Sequence, residues 1–299
     1  MSNEGLNDAR KPDALWYEET IPVRGYRLSL PQIKNAYREL QQLTKSEGDH
    51  IVDSLKKPDG DADEVFAERK AFLKKDAFRV TVSIVGFDGQ TVYGETEAIF
   101  DLDSLPLPIR TIFFTNTSAF RRNASGNEPR NRFSIWLNFE KPPLFDPNTL
   151  VSDRTPNSSN AQINADDIGY FRAVRNIIDS KIKMHRQWYA LLHGKGVYDA
   201  GVWFVALPYA LYWATIYMDY LFPDGSKYAS FRIPFYIYAV GISLVIYRIL
   251  IGYFKWAFPV NLLEENKDSA TKHRVLLGAI VMALVISGAK SLLGKIPLF

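Results

Sequence analysis

Two kinds of hydrophobic pattern divide this chain. Up to about residue 195, apolar residues recur at helical or strand spacing among many charges, whereas beyond it they form long runs. The first part carries 27 basic and 27 acidic side chains, and the remainder only 9 and 6. The pattern predicts an α+β domain over 1–145, a polar linker over 146–165, an amphipathic coupling helix over 166–195 and an all-α transmembrane domain over 196–299.

Helical spacing followed by alternation predicts the elements of the first domain. Residues 29–57 form a helical pattern with Pro31 in its first turn, and the pattern allows a break near Gly48. A second helix is predicted over 62–76, after which the period changes to two. Strands are predicted over 78–84, 91–100, 109–115 and 132–139. These elements predict two helices packed on a small antiparallel sheet.

The coupling helix carries an apolar stripe on one face. The helical pattern runs over 166–193, nearly to the first apolar run. Its apolar face fits the seam of an oligomer, and it equally fits packing against its own sheet domain. Both interpretations stay open at the level of sequence.

Three apolar runs predict transmembrane helices over 201–222, 233–255 and 275–293. The first run is uncharged between Gly201 and Met218, and its many Trp and Tyr residues suit a bilayer interface better than the alternative, a buried core helix of a soluble protein.

Polar and small residues in these runs are candidates for a pore or for helix packing. Asp219, Ser243 and Arg248 can face a lumen, although interfacial placement of Asp219 and snorkelling of Arg248 are alternatives. In the third run, Ala279, Ala283 and Ser287 recur at every fourth residue. Such a stripe lets helices approach closely, either around a pore or within one subunit.

The distribution of Lys and Arg beside the runs predicts the orientation. Counted over the flanks, eight basic residues fall on the N-terminal domain's side and four on the other. Because cytoplasmic flanks carry the excess of positive charge, we expect a multi-pass protein of the inner (plasma) membrane with a cytoplasmic N-terminus and an outer C-terminus. The first 30 residues contain no apolar run typical of a signal peptide.

A cluster of arginines marks the long connection between the last two predicted strands. Guanidinium groups beside aromatic rings are suited to phosphates and bases, so this cluster predicts a phosphate-bearing ligand, either a nucleotide or a short single-stranded oligonucleotide. A solvated loop with ordinary surface arginines is the alternative. The candidate ligand-binding residues are Arg110, Arg121, Arg122, Arg130, Arg132 and Phe120.

Residue types that carry catalysis are sparse. The chain has no Cys, which excludes disulfide frameworks, thiolate catalysis and Cys-ligated metals. It contains no phosphate-binding glycine loop, dinucleotide fingerprint or nucleophile elbow, and its four His lack metal-ligand spacing. We therefore predict a protein that is not an enzyme and that has no cofactor, no metal site and no catalytic residue.

The order of parts resembles the membrane effectors of bacterial nucleotide-signalling antiphage systems, with the Hailong-type effectors as the nearest analogue. The resemblance lies in the sensor domain over 29–145, the coupling helix over 166–193 and the spans over 201–293, and no residue is carried over from it. It implies a homo-oligomeric ion channel or membrane-disrupting effector that a nucleotide or DNA oligomer gates in antiviral defence. The alternative is a membrane-anchored scaffold that recruits a protein partner to the cytoplasmic face.

Overall fold

The computed structural model describes residues 15–60, 62–144, 152–266 and 270–293. The chain divides into two compact units. The sheet unit comprises Met1–Glu140, Asn157–Trp188 and Asn261–Asn266, and the helical unit comprises Lys141–Pro156, Tyr189–Val260 and Lys267–Phe299. A short segment late in the chain therefore belongs to the sheet unit.

The sheet unit contains nine strands and four α-helices among the residues that the structure describes. Its strands are β1 (Tyr17–Pro22), β2 (Tyr26–Leu28), β3 (Thr81–Gly86), β4 (Thr91–Gly94), β5 (Ile109–Thr115), β6 (Arg132–Asn138), β7 (Asn160–Ala165), β8 (His185–Arg186) and β9 (Leu262–Leu263). Its helices are α1 (Leu30–Ser54), α2 (Asp63–Phe72), α3 (Thr117–Asn123) and α4 (Ile168–Ile177), with a 3₁₀ turn over Glu97–Asp101 and π-helical turns over Leu73–Ala77 and Ile178–Ile182.

Six strands form an antiparallel sheet in the order β1-β7-β6-β5-β3-β4. A second, three-stranded sheet has the order β8-β2-β9, with β2 and β9 parallel. The predicted combination of helices with a small antiparallel sheet is confirmed.

The core lies between one face of the large sheet and two helices. Val82, Phe114 and Ile135 are paired across adjacent strands and are fully buried or nearly so. Helix α1 covers them with Tyr37, whose hydroxyl donates to the Val80 carbonyl at 3.0 Å. Strand side chains alternate between the two sheet faces, so the intervening residues form the opposite face.

Helix α1 is continuous through Gly48, so the break that the pattern allowed does not occur. A Cβ at this position would lie 2.2 Å from Cγ of Phe78. The glycine therefore permits the close approach of an aromatic ring from the neighbouring element and does not end the helix.

Several boundaries differ from the sequence prediction. The strands predicted over 78–84 and 91–100 are β3 and the shorter β4, which a 3₁₀ turn follows. Residues 160–165, assigned to the linker, form β7 between β1 and β6, because Ala161, Ile163 and Ala165 alternate into the core. The coupling helix ends with the π-helical turn at Ile182, and the segment that follows contains β8 and a 3₁₀ turn over Trp188–His193. The apolar face of α4 packs in the sheet unit's own core, which was one of the two interpretations of its stripe.

The helical unit contains long apolar helices. They are α5 (Val197–Gly201), which continues through a π-helical turn (Val202–Ala206) into α6 (Leu207–Leu221), then α7 (Arg232–Ala257) after a 3₁₀ turn (Ala229–Phe231), and α8 (Thr271–Leu293).

Two helices among the described residues are long and apolar enough to cross a membrane, over Val197–Leu221 and Ala229–Ala257. In their most apolar stretches only 17% and 0% of the residues are buried within the chain, so they are not core helices of this fold. The structure supports two such helices and not the three that the sequence predicted. The third run, 275–293, does form α8, part of whose side chains lie outside the description.

Candidate functional site

The face of the large sheet that points away from the core carries a row of paired residues. Register places Tyr93, Ser83, Phe113, Trp136 and Asn160 side by side on β4, β3, β5, β6 and β7. The Phe113 and Trp136 rings contact each other with centroids 5.2 Å apart, and Trp136 is 38% exposed. The row therefore presents an aromatic surface on an otherwise polar sheet face.

Polar pairs continue this face along β6 and β7. Ser134 is paired with Gln162, and Arg132 with Asn164, one step and two steps from Trp136. Successive pairs on one face are about 6.6 Å apart, since each strand residue rises about 3.3 Å. We call this set, from Trp136 to Arg132 on β6 with its β7 partners, the polar ladder.

A cavity of about 220 Å³ opens at the end of the polar ladder. The residues that line it include Glu18, Glu128, Arg132, Ser134, Gln162 and Asn164. The Oδ1 atom of Asn164 is buried and accepts no hydrogen bond. Because leaving a buried acceptor unpaired costs about 1–3 kcal/mol, this atom is suited to a ligand that brings an N–H or O–H donor.

Four of the five predicted arginines form ion pairs with three carboxylates. Arg132 and Arg121 lie 2.9 and 4.0 Å from Glu128, and of these two arginines Arg132 lines the cavity. Arg130 contacts Asp166 at 3.5 Å.

Arg122 donates to Glu95, which Tyr93 and Arg79 also contact. Partial burial alone would raise the pKa of Glu95, but the hydrogen bonds from Arg122 and Tyr93 outweigh it and hold the pKa below its usual value. Bonding to Glu95 raises the pKa of Arg122 in turn. The positive charge of Arg122 is thus already paired with the Glu95 carboxylate.

Arg110 and Phe120 lie apart from the cavity lining. Arg110 is half-buried on β5, and its carbonyl accepts from the Phe139 N–H at 2.9 Å. Phe120 is 3% exposed and packs edge-on against Phe78, with ring centroids 5.3 Å apart. Its ring belongs to a second hydrophobic cluster, so it presents no free face on which a base could stack.

Two buried asparagines fix the connection that carries these arginines. The connection is not an open loop, because it contains α3. Asn116 accepts from the Phe133 N–H at 3.0 Å and donates to the Asn131 carbonyl at 2.8 Å. Asn131 in turn donates to Glu47 at 2.6 Å and accepts from the Asp166 N–H at 3.1 Å. The two ends of the connection are therefore held together beside the cavity.

The polar residues predicted for a pore have partners within the helical unit. Arg232 contacts both Asp219 and Asp224, the latter at 3.1 Å, so Asp219 is paired in the structure. The Ser243 hydroxyl donates to the Ala239 carbonyl at 2.8 Å, the usual arrangement of serine inside a transmembrane helix. Arg248 is half-buried on α7.

The small-residue stripe lies on α8. Ala279 and Ala283 are exposed within the chain. The side chain of Ser287 lies outside the described part of the structure. Another stripe, which the sequence analysis did not single out, lies on α6, where Ala210, Ala214 and Met218 recur at every fourth residue and are buried.

A segment between α7 and α8 is built into the sheet unit; we call residues 261–266 the strap. Within it, β9 pairs with β2. Asn261, only 1% exposed, accepts from the Tyr26 N–H at 3.1 Å and donates to the Val23 carbonyl at 2.8 Å. Asn266 pairs with both backbone groups of Ile109, each at 2.7 Å.

The strap also caps a helix. Glu265 accepts from the Leu30 N–H at 2.8 Å, at the start of α1. The first turn of α1 has no acidic residue of its own, so Glu265 supplies the negative charge that the helix dipole favours there. Every polar side chain from Asn261 to Asn266 thus has a partner in the sheet unit, since Glu264 contacts Arg27 at 2.7 Å.

The sequence analysis missed the strap, Trp136 and the β7 side of the polar ladder. Trp136 could have been found, because it alternates with Ile135 and Leu137 of a predicted strand and must lie on the opposite face. The strap carries only two strand residues, so no periodicity marks it. Among the described residues, no group of three or more His, Asp or Glu side chains could hold a metal ion.

Comparison with protein-family models, with curated proteins and with solved structures finds no match to this chain.

Proposed function

We propose that this chain is a homo-oligomeric membrane effector, an ion channel or a membrane-disrupting protein, whose sheet unit binds a phosphate-bearing ligand and controls the membrane helices. The observation that carries the proposal is the strap. It makes the connection between α7 and α8 part of the fold of the sheet unit, so the fold that would bind ligand also holds the chain between two apolar helices.

The covalent path from strap to helix is short. Helix α7 ends at Ala257, and only residues 258–260 separate it from the strap. The four Cα–Cα steps from Ala257 to Asn261 reach at most about 13–14 Å when extended. A displacement of the strap beyond that reach must therefore move the end of α7, which is the property that a ligand-controlled gate requires.

Ligand control also has a thermodynamic requirement. A ligand shifts an equilibrium between closed and open states only if it binds the two unequally. A ligand on the sheet face meets this requirement if strands β5, β6 and β7 differ between the states. Asn266 bonds to Ile109 at the start of β5, so the strap is bonded to a strand of that same sheet.

The membrane arrangement follows from the apolar helices and the charges beside them. We assign Val197–Leu221 and Ala229–Ala257 as spans, and the excess of Lys and Arg on the flank of the sheet unit favours a cytoplasmic location for that unit. The exposed Ala279 and Ala283 support close packing of α8 against another helix, a second copy of the chain included. A role in antiviral defence rests only on the resemblance in the order of parts.

The test is ion flux from liposomes that contain the purified full-length protein, with and without single-stranded DNA hexamers, after its mass is measured in detergent. We expect a defined oligomer with ligand-dependent flux. The coupling variant is Asn266→Ala, which should keep ligand affinity and lose most of the ligand-dependent change in flux. Its matched control is Asn35→Ala, an exposed asparagine on α1. A monomer that passes no ions under any of these conditions would contradict the proposal.

One observation favours a second candidate, a membrane-anchored scaffold. Arg121, Arg122, Arg130 and Arg132 all contact carboxylates, so a phosphate would have to compete with Glu128, Glu95 and Asp166. A protein-binding face needs no such exchange. The scaffold predicts binding of a protein partner without any conductance, so the flux measurement separates the two candidates.

A further inference from the structure

We propose that the cavity at the end of the polar ladder binds the hydrogen-bonding edge of an unpaired, amino-bearing nucleobase of a single-stranded oligonucleotide, while a neighbouring base stacks on Trp136. This inference rests on the proposed function and specifies its ligand. It places the ligand-binding site on the outer face of the large sheet, and not only on the arginines of the connection between β5 and β6.

The size of the cavity favours a single heterocycle. Its volume of about 220 Å³ is below the about 300–1,000 Å³ of sites that enclose a drug-sized ligand. A base can enter edge first, with its sugar and phosphate left outside. The Arg121 side chain is 59% exposed and its guanidinium lies 4.0 Å from the lining residue Glu128, so it is available to such a phosphate outside the cavity.

The lining favours a base with an amino group. Glu18, Glu128 and the unpaired Oδ1 of Asn164 are acceptors, whereas Arg132 and the amide nitrogen of Gln162 are donors. Carboxylates accept from the amino group of cytosine, and Asn or Gln amides pair with adenine. An exocyclic amino group brings two N–H donors, whereas thymine brings only one, at N3, so thymine satisfies fewer of these acceptors.

The same carboxylates argue against a bare phosphate inside the cavity. Glu18 and Glu128 give the lining one more negative than positive charge when Arg132 is counted. A phosphate there would meet like charge at short range, which disfavours its binding. Neutral bases are not subject to this repulsion, and their N–H groups satisfy the acceptors.

The aromatic side chains beside the cavity supply a stacking contact for the neighbouring base. Trp136 and Phe113 form a continuous aromatic surface one step along β6 from Ser134, which lines the cavity. Base stacking on an aromatic side chain contributes without sequence preference. Antiparallel sheets that bind single strands use aromatic residues on their open face in this way. Adjacent positions on the ladder would therefore take successive bases of one strand.

The experiment measures binding of fluorescent dC, dA and dT hexamers to the full-length protein in detergent at a fixed salt concentration. We expect dC and dA hexamers to bind about five- to 150-fold more tightly than dT, the range that one good base contact provides. Asn164→Leu and, as a milder change at an exposed position, Gln162→Ala should reduce this preference while leaving dT affinity unchanged. Trp136→Leu should weaken all three hexamers, and Asn35→Ala none.

Each binding result tests the inferred base-binding cavity independently of whether the protein is a channel. Equal affinity for the three hexamers, or a preference unchanged by both Asn164→Leu and Gln162→Ala, overturns the cavity assignment even if DNA still gates flux. Binding of free dCMP as tight as that of the dC hexamer overturns the strand arrangement. Absence of hexamer binding to the wild type overturns the inference and the oligonucleotide ligand together, while the flux measurement with other nucleotides decides the channel on its own.

Discussion

Replacing Asn261 with alanine is the most direct test that the strap is part of the sheet unit's fold. The side chain is 1% exposed and makes three hydrogen bonds, with the Tyr26 N–H, the Val23 carbonyl and the Ser159 hydroxyl at 3.1, 2.8 and 3.0 Å. An alanine Cβ reaches none of these groups. We therefore expect Asn261→Ala to leave two backbone groups without a side-chain partner inside the fold.

The size of the effect follows from those two groups. Each buried polar group left unpaired costs about 1–3 kcal/mol, so the expected loss of unfolding free energy is about 3 kcal/mol. For a domain of about 150–250 residues this corresponds to a decrease in Tm of about 6–12 °C. The serine hydroxyl contributes less, because Ser159 also donates to the Asn138 carbonyl at 3.2 Å.

Thermal unfolding of the full-length protein in detergent, followed by tryptophan fluorescence, measures the decrease. Asn35→Ala is the matched control, since that asparagine is exposed on α1 and its loss should change the unfolding free energy by no more than about 0.5 kcal/mol. If Asn261→Ala were as stable as this control, the strap would not be held in the sheet unit, and the coupling proposed for it would have no structural basis.

Two further predictions concern the sheet unit. The pKa of Glu95 is lowered in the folded state, so the stabilisation by its carboxylate is present above the unfolded pKa near 4.5 and is lost as the pH falls through the lower, folded pKa. The Tm of the wild type should therefore decrease more steeply than that of Glu95→Gln between about pH 5 and 3. Parallel curves would refute the pairing with Arg122. Tyr37→Phe removes the hydroxyl that donates to the Val80 carbonyl and should lower the unfolding free energy by about 1–2 kcal/mol in chemical denaturation, with Asn35→Ala, at an exposed position of the same helix, as the control.

Local patterns predicted the sheet unit where one face of an element is apolar. Strand β5 was predicted with the bounds it has, because six of its seven residues are β-branched or aromatic and Pro108 precedes it. Helix α1 was predicted to within three residues at its end, although the role of Gly48 depends on Phe78 from a distant part of the chain. Tertiary contacts of this kind leave no periodic signal.

Strand β7 shows why the linker was wrong. Its inward residues are Ala161, Ile163 and Ala165, two of which are small, and Asn and Ser residues precede it. The composition of residues 160–165 is therefore that of a linker. The alternation of these three side chains allows the segment to pair as a strand between β1 and β6. Small apolar residues suffice there because α4 packs closely on β7.

The arginine loop shows the opposite case, in which residue types were found but their partners were not. Sequence gave equal weight to every arginine, since only Glu128 is nearby along the chain. The fold brings Glu95 and Asp166 to Arg122 and Arg130 from other elements and leaves Arg121 and Arg132 sharing Glu128 at the cavity. Charge alone is therefore a poor guide to the ligand here.

Under the proposed function, the cavity and the strap are the two parts of the sheet unit that would connect ligand binding to the apolar helices. Residues of β6 and β7 line the cavity, and the strap bonds at Ile109 to β5, the other neighbour of β6. A base that enters the cavity orders side chains on one edge of β6, and any shift of that strand is resisted by its hydrogen bonds to β5. The strap would then respond to ligand only if the strands of the sheet move together. Asn266→Ala should therefore reduce the ligand-dependent flux without changing the affinity for ligand. Asn164→Leu should reduce both the affinity and the flux for oligonucleotides with amino-bearing bases.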